Sequence, residues 1–110
     1  MMNWKEITSV DEWQQLNTQD SLIVFKHSTT CPVSANALKE FEDYLSQEPK
    51  KNTDYVLVKV IESRPVSNQI AEDTGIKHES PQIIYLQKGE PVWNTSHWSI
   101  TVEHMKAVLD

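Results

Sequence analysis

The chain has 110 residues, enough for one domain with a core of two or three packed layers and too few for two independent ones. A net charge of -6 leaves no basic face to neutralise phosphates, and no apolar stretch approaches the roughly 20 residues that span a bilayer, so neither nucleic acid nor a membrane is expected as a partner. The opening Met1-Met2-Asn3-Trp4-Lys5-Glu6 lacks the pattern of a signal peptide, and a single cysteine, Cys31, cannot close an intrachain disulfide, so the expected setting is the reducing cytoplasm.

Ser9 followed by Glu12 is a capping-box signal, and Val10, Trp13 and Leu16 recur at helical spacing, so a short helix is expected over 11–17. The run from Leu22 to Lys26 is continuously apolar to its last residue and of strand length, which predicts a central strand covered on both faces. From Val33, the positions Ala37, Leu38, Phe41 and Leu45 recur at spacings of three and four, opposite Lys39, Glu40, Glu42 and Asp43, predicting an amphipathic helix over 33–45. A linker follows over 47–54, with Pro49 and two lysines.

The β-branched run from Tyr55 to Ile61 predicts a second buried strand. A helix over 65–74 comes next, with Gly75 as its C-terminal stop. Residues 82–87 read as a third strand, 88–90 as a turn, and 91–95 as an edge strand whose first residue, Pro91, sits where a missing N–H does least harm. Val102, Met105, Val108 and Leu109 mark a last helix with Ser99 or Thr101 as cap. This order predicts a single α/β domain over 1–110, a three-layer sandwich of thioredoxin type with a mixed four-stranded central sheet flanked by helices.

Chemistry concentrates in Ser28-Thr29-Thr30-Cys31-Pro32-Val33-Ser34, between the first strand and the main helix. The thiolate is the nucleophile in thiol exchange, and unpaired N–H groups and the positive end of the dipole at a helix start favour it. Pro32 suits the first helical position, because it presets φ and lacks an N–H that would be unpaired there anyway. Ser34 stands where a two-cysteine site keeps its second thiol; its hydroxyl is expected to donate a hydrogen bond to the sulfur, but it cannot form a disulfide. The competing reading makes Cys31 a small buried hydrophobe, and its polar and proline neighbours weigh against that.

Ser80-Pro81, ahead of the third strand, completes the expected site. Although only about 5% of X–Pro bonds are cis, the inferred fold favours cis at Pro81, turning the Ser80 backbone toward an incoming extended peptide or thiol. The four histidines, His27, His78, His97 and His104, share no metal-ligand spacing with one another or with Cys31, so no metal is expected and each reads as a structural histidine. A Cys-His hydrolase lacks its local sequence signatures. Lys26, His27, Lys77 and His78 either put positive charge near the thiolate and an anionic thiol or are solvated ends of strands and turns. The four tryptophans, Trp4, Trp13, Trp93 and Trp98, are read as core or edge packing.

With Thr30-Cys31-Pro32-Val33-Ser34, Ser80-Pro81 about fifty residues later and a Gly89 hairpin, nearly the whole chain resembles the monothiol bacilliredoxins, the YtxJ-like family of thioredoxin-fold proteins. The resemblance implies a cytoplasmic thiol–disulfide exchange protein that removes bacillithiol from S-bacillithiolated proteins, with this low-molecular-weight thiol as co-substrate. Cys31 and Ser34 are then the catalytic pair, and Thr30, Pro32, Ser80 and Pro81 contact the thiol. Two alternatives are a monothiol glutaredoxin-like iron–sulfur cluster carrier, whose usual Cys-Gly-Phe-Ser differs from this chain at Pro32-Val33, and a thioredoxin-fold interaction module with an incidental cysteine.

Overall fold

The computed structural model describes residues 4–47 and 53–109; most of the expected 47–54 linker and residues 1–3 lie outside the described residues. The sheet is built around its most apolar segment. Leu22–His27 (β2) is buried at all six positions and lies between Asp54–Lys59 (β3), paired in parallel, and Gln82–Gln87 (β4), paired antiparallel. Glu90–Ser96 (β5) pairs antiparallel with β4 at one edge, and Lys5–Glu6 (β1) runs parallel to β3 at the other, giving the order β1-β3-β2-β4-β5. The mixed sheet has five strands where four were expected. Two residues are too short to display an alternating pattern, and β1 is held by register with Val56 and Leu57 and by the Ile7 N–H donating to the Leu57 carbonyl at 3.0 Å.

Helices Val10–Leu16 (α1), Pro32–Leu45 (α2), Arg64–Thr74 (α3) and Val102–Leu109 (α4) cover the two faces, and strand alternation decides what each one meets. On one face Ile23, Phe25, Leu57 and Ile83 pack with Phe41, Tyr44 and Leu45 of α2 and with Met105 and Leu109 of α4. On the other, Leu22, Val24, Val58 and Ile84 meet Trp13 of α1 and Val66 and Ile70 of α3. Helix, sheet and helix form the expected three layers.

Local signals set the ends. The Ser9 hydroxyl accepts the Glu12 N–H at 3.2 Å, so α1 starts at Val10. Gly75 ends α3 at a φ of 70°, its N–H donating to the Ala71 carbonyl. The turn between β4 and β5 is a residue shorter than expected: Lys88 and Gly89 both take positive φ, the backbone of a tight two-residue hairpin, and Glu90 already belongs to β5. β3 stops at Lys59, two residues early, leaving Ile61 exposed in the following turn. Thr101, not Ser99, caps α4, its hydroxyl accepting the His104 N–H at 3.1 Å.

The tryptophans divide. Trp13 is fully buried and its indole N–H donates to Asp73 at 2.7 Å, while Trp4 and Trp93 pack at the margin of the core. Trp98 departs from the packing expectation: it is 67% exposed on a short 3₁₀ turn, His97–Ser99, that follows β5. Among the described residues no helix is long and apolar enough to cross a membrane.

Phe41 is fully buried, and its ring stacks on Phe25 with centroids 5.0 Å apart. Phe41→Ala is expected to cost about 3–5 kcal/mol, measured as a fall in the urea midpoint at unchanged m-value.

Candidate thiol site

Cys31 is the N-cap of α2, with extended backbone (φ -107°, ψ 121°) and Pro32 at the first helical position. Its N–H donates to the Ser28 carbonyl at 3.3 Å, closing a tight turn, and its carbonyl accepts the Ala35 N–H at 3.0 Å as the first bond of the helix. The side chain is half-buried and makes no capping hydrogen bond. The sulfur therefore stands at the positive end of a fourteen-residue helix without being tied down.

Ser34 is placed differently from the expectation. Its side chain is fully buried, and Oγ accepts the Ser28 N–H at 2.9 Å and is hydrogen-bonded to His27 Nδ1 at 2.8 Å. Inward packing, not the sulfur, claims the hydroxyl. The partner, His27, is 9% exposed at the end of β2 and points to the α2 face. Burial lowers its pKa, partly opposed by Glu62, so the ring is neutral at physiological pH.

The loop tip is anchored as well. Thr29 donates its hydroxyl to Glu62 at 3.0 Å, and the Val60 N–H donates to the His27 carbonyl at 2.9 Å, so the turn after β3 supports the thiol loop. Thr30 and Pro32 are exposed on either side of Cys31.

The Ser80–Pro81 bond is cis. Register between β2 and β4 pairs Lys26 with Gln82, which puts Pro81 beside His27, at the sheet end where Cys31 begins α2. Sequence order alone had left these residues some fifty apart. The Pro81 carbonyl accepts the His97 N–H at 3.0 Å, which brings the 97–99 turn to the same end. Sequence reasoning missed the partnership of His27 with Ser34 and the anchoring role of Glu62. Carrying the β2 alternation one residue past Lys26 would have placed His27 on the α2 face.

Lys26 is neither solvated nor exposed to a ligand. It is fully buried on the α3 face, and its ammonium donates to the Ser67 carbonyl at 3.0 Å and to His78 Nδ1 at 3.3 Å. The ion pairs among the described residues, Lys5–Glu12 and Lys59–Glu6, do not include it. Desolvation lowers its pKa to about 8. His78 is also lowered, by burial and then by the Lys26 and Arg64 charges, and its Nδ1 lies 3.2 Å from the Ser67 hydroxyl as well. Lys77 and His78 are exposed by residue. Among the described residues no group of three or more His, Cys, Asp or Glu could hold a metal ion.

Residues 5–105 match the family model described as monothiol bacilliredoxin BrxC. The structure is similar to a putative oxidoreductase with a thioredoxin fold, at a TM-score of 0.85 and 36% identity over 96% of this chain and 92% of that one. It is similar in fold to thioredoxin from Malassezia sympodialis (TM-score 0.79, 18% identity, 99% of this chain and 90% of that one). Mitochondrial thioredoxin 3 from Saccharomyces cerevisiae is also similar in fold (TM-score 0.73, 12% identity, 96% and 92%).

The lowered pKa of Lys26 fixes a sign. Between about pH 8 and its ordinary value near 10.4, the folded protein has released this proton while the unfolded chain still holds it, so the Lys26 contribution to stability rises with pH over that window. Urea midpoints of the wild type and Lys26→Met across pH 7 to 10.5 are expected to shift in favour of the wild type as pH rises through it. A constant difference would contradict the burial of a charged amine.

Proposed function

We propose that this chain, which belongs to the monothiol bacilliredoxin family, removes bacillithiol from S-bacillithiolated proteins in the cytoplasm by exchange at Cys31. Family and fold support thiol–disulfide oxidoreductase activity in general. The observation that carries the finer reading is the pairing of a half-buried, unbonded sulfur at a helix start with a buried hydroxyl at position 34, where a second thiol would otherwise stand. Such a site can open a mixed disulfide but cannot resolve it internally.

The Cys31 thiolate attacks the bacillithiol sulfur of the mixed disulfide. That S–S bond breaks, the substrate protein leaves as a thiolate and takes a proton from solvent, and Cys31 is left joined to bacillithiol. A second bacillithiol thiolate attacks the bacillithiol sulfur of this adduct, giving the oxidised bacillithiol dimer and regenerating Cys31. Overall the mixed disulfide and one free bacillithiol become the free protein thiol and the oxidised bacillithiol dimer, so one S–S bond is given up for another and no outside oxidant or reductant is consumed. Helix α2 favours the departing Cys31 as an anion in the second step, and exposed Thr30 and Pro32 together with the Ser80–Pro81 backbone form the rim that the small thiol approaches.

Intact mass spectrometry after incubation with oxidised bacillithiol is expected to give one adduct, absent in Cys31→Ala and removed by free bacillithiol. A protein that stays unmodified, or keeps its adduct, does not have this activity. Visible absorbance in the anaerobically purified protein would instead favour a cluster carrier.

A further inference from the structure

We propose that Trp98 is a specificity-determining residue of the thiol site: its indole receives an apolar side chain of the polypeptide whose mixed disulfide Cys31 opens. The inference rests on the thiol-exchange reading of Cys31 and names the part of the substrate that this end of the sheet recognises.

The 97–99 turn is anchored at both ends. Gln82 pairs with Lys26 on one side and with Ser96 on the other, so the turn leaves the sheet two strand spacings, about 10 Å, from the exit of β2 that leads to Cys31. The His97 N–H donates to the Pro81 carbonyl at 3.0 Å, the Ile100 N–H donates to the His97 carbonyl at 3.3 Å, and the Ser99 carbonyl accepts from His104 Nδ1 at 2.9 Å. Ile100 is buried in the core that α2 covers, and the turn packs on that helix. His97 holds a φ of 56°, a left-handed conformation that a non-glycine residue keeps where its surroundings impose it. Between these anchors Trp98 is 67% exposed, whereas Trp4, Trp13 and Trp93 are packed.

A large ring kept in water on an anchored turn is apolar area that a partner can cover without first ordering it. A polypeptide suits that surface better than the small thiol does. The disulfide forms at Cys31, and an extended chain advances about 3.3 Å per residue, so residues about three positions from the substrate cysteine come level with the turn. Aliphatic or aromatic side chains at those positions gain from covering the indole. An anionic thiol gains little from the ring face, where the quadrupole is negative. The chain neighbours His97 and Ser99 are polar and exposed, which gives an apolar anchor with a wet rim.

The test compares two disulfides of bacillithiol: its mixed disulfide with a short peptide carrying leucine about three residues either side of the cysteine, and its own oxidised dimer. Trp98→Ala is expected to slow opening of the peptide disulfide about tenfold, the scale of one interfacial aromatic anchor, and to leave the reaction with the dimer unchanged. Trp98→Phe, which keeps an apolar ring, is expected to retain most of the wild-type rate. Glycine in place of both leucines is expected to slow the wild type by the same factor and Trp98→Ala not at all. Equal slowing of Trp98→Ala on both disulfides would assign the ring to the small thiol or to the stability of the site, and no slowing on either would leave it without a role. Each of those results overturns the inference. A mixed disulfide of the same peptide with thionitrobenzoate contains no bacillithiol. If the wild type opens it faster than Trp98→Ala does but opens neither bacillithiol disulfide, the bacillithiol reading is retired and the docking residue stands. Equal rates for the two proteins on a bacillithiol–peptide disulfide that both open do the reverse.

Discussion

The first turn of α2 is joined to the exit of β2 by one oxygen. Ser34 Oγ takes the Ser28 N–H and meets His27 Nδ1, both at less than 3 Å, and the Ser34 side chain is fully buried. An apolar side chain at position 34 would leave the buried His27 ring nitrogen without this partner, at a cost of about 1–3 kcal/mol, and would free the half-buried Ser28 N–H. The loop between those anchors is short enough that fixing its ends fixes Cys31, whose own N–H closes the turn on Ser28. The thiol thus has a defined place while making no side-chain capping hydrogen bond.

Strand alternation gives both halves of the site their supports. Consecutive residues of β2 point to opposite faces, so Lys26 enters the α3 side and His27 the α2 side. His27 secures the thiol loop. Lys26 reaches Ser67 on α3 and His78, in the segment between Gly75 and Pro81, while Gln82 donates to the Lys77 carbonyl at 3.1 Å. The segment that ends in the cis proline is therefore pinned from beneath by β2 and β4. One polar dipeptide at the end of an apolar strand holds the cysteine loop on one face and the proline loop on the other.

Much of this was legible in the chain. Apolar periods in Leu22–Lys26 and Val33–Leu45, the Ser9–Glu12 cap and the Gly75 stop located the main elements to within a residue or two, because each rests on local physics. The cysteine at a strand-to-helix boundary was equally plain. Non-local features were not. β1 has two residues and exists because β3 offers an edge; Trp98 is apolar and still exposed because a short turn, not a helix face, carries it. Ser34 was read by its distance from Cys31 along the helix, whereas its hydroxyl is claimed by the strand behind it. Lys26 was read either as positive charge near the thiolate or as a solvated strand end, because composition does not reveal that it is buried against α3.

A buried oxygen at position 34 also decides what sets the equilibrium. In a two-cysteine site the internal disulfide has a reduction potential fixed by the protein's own geometry, because the second sulfur is held at a set distance and no outside concentration enters. With one sulfur, every disulfide the site can form contains a sulfur from elsewhere. The fraction of Cys31 that is blocked then follows the ratio of oxidised to reduced thiol in the surroundings, and the protein's contribution is confined to how well its sulfur attacks and leaves. A helix start that favours the anion acts on the second of those properties, easing departure.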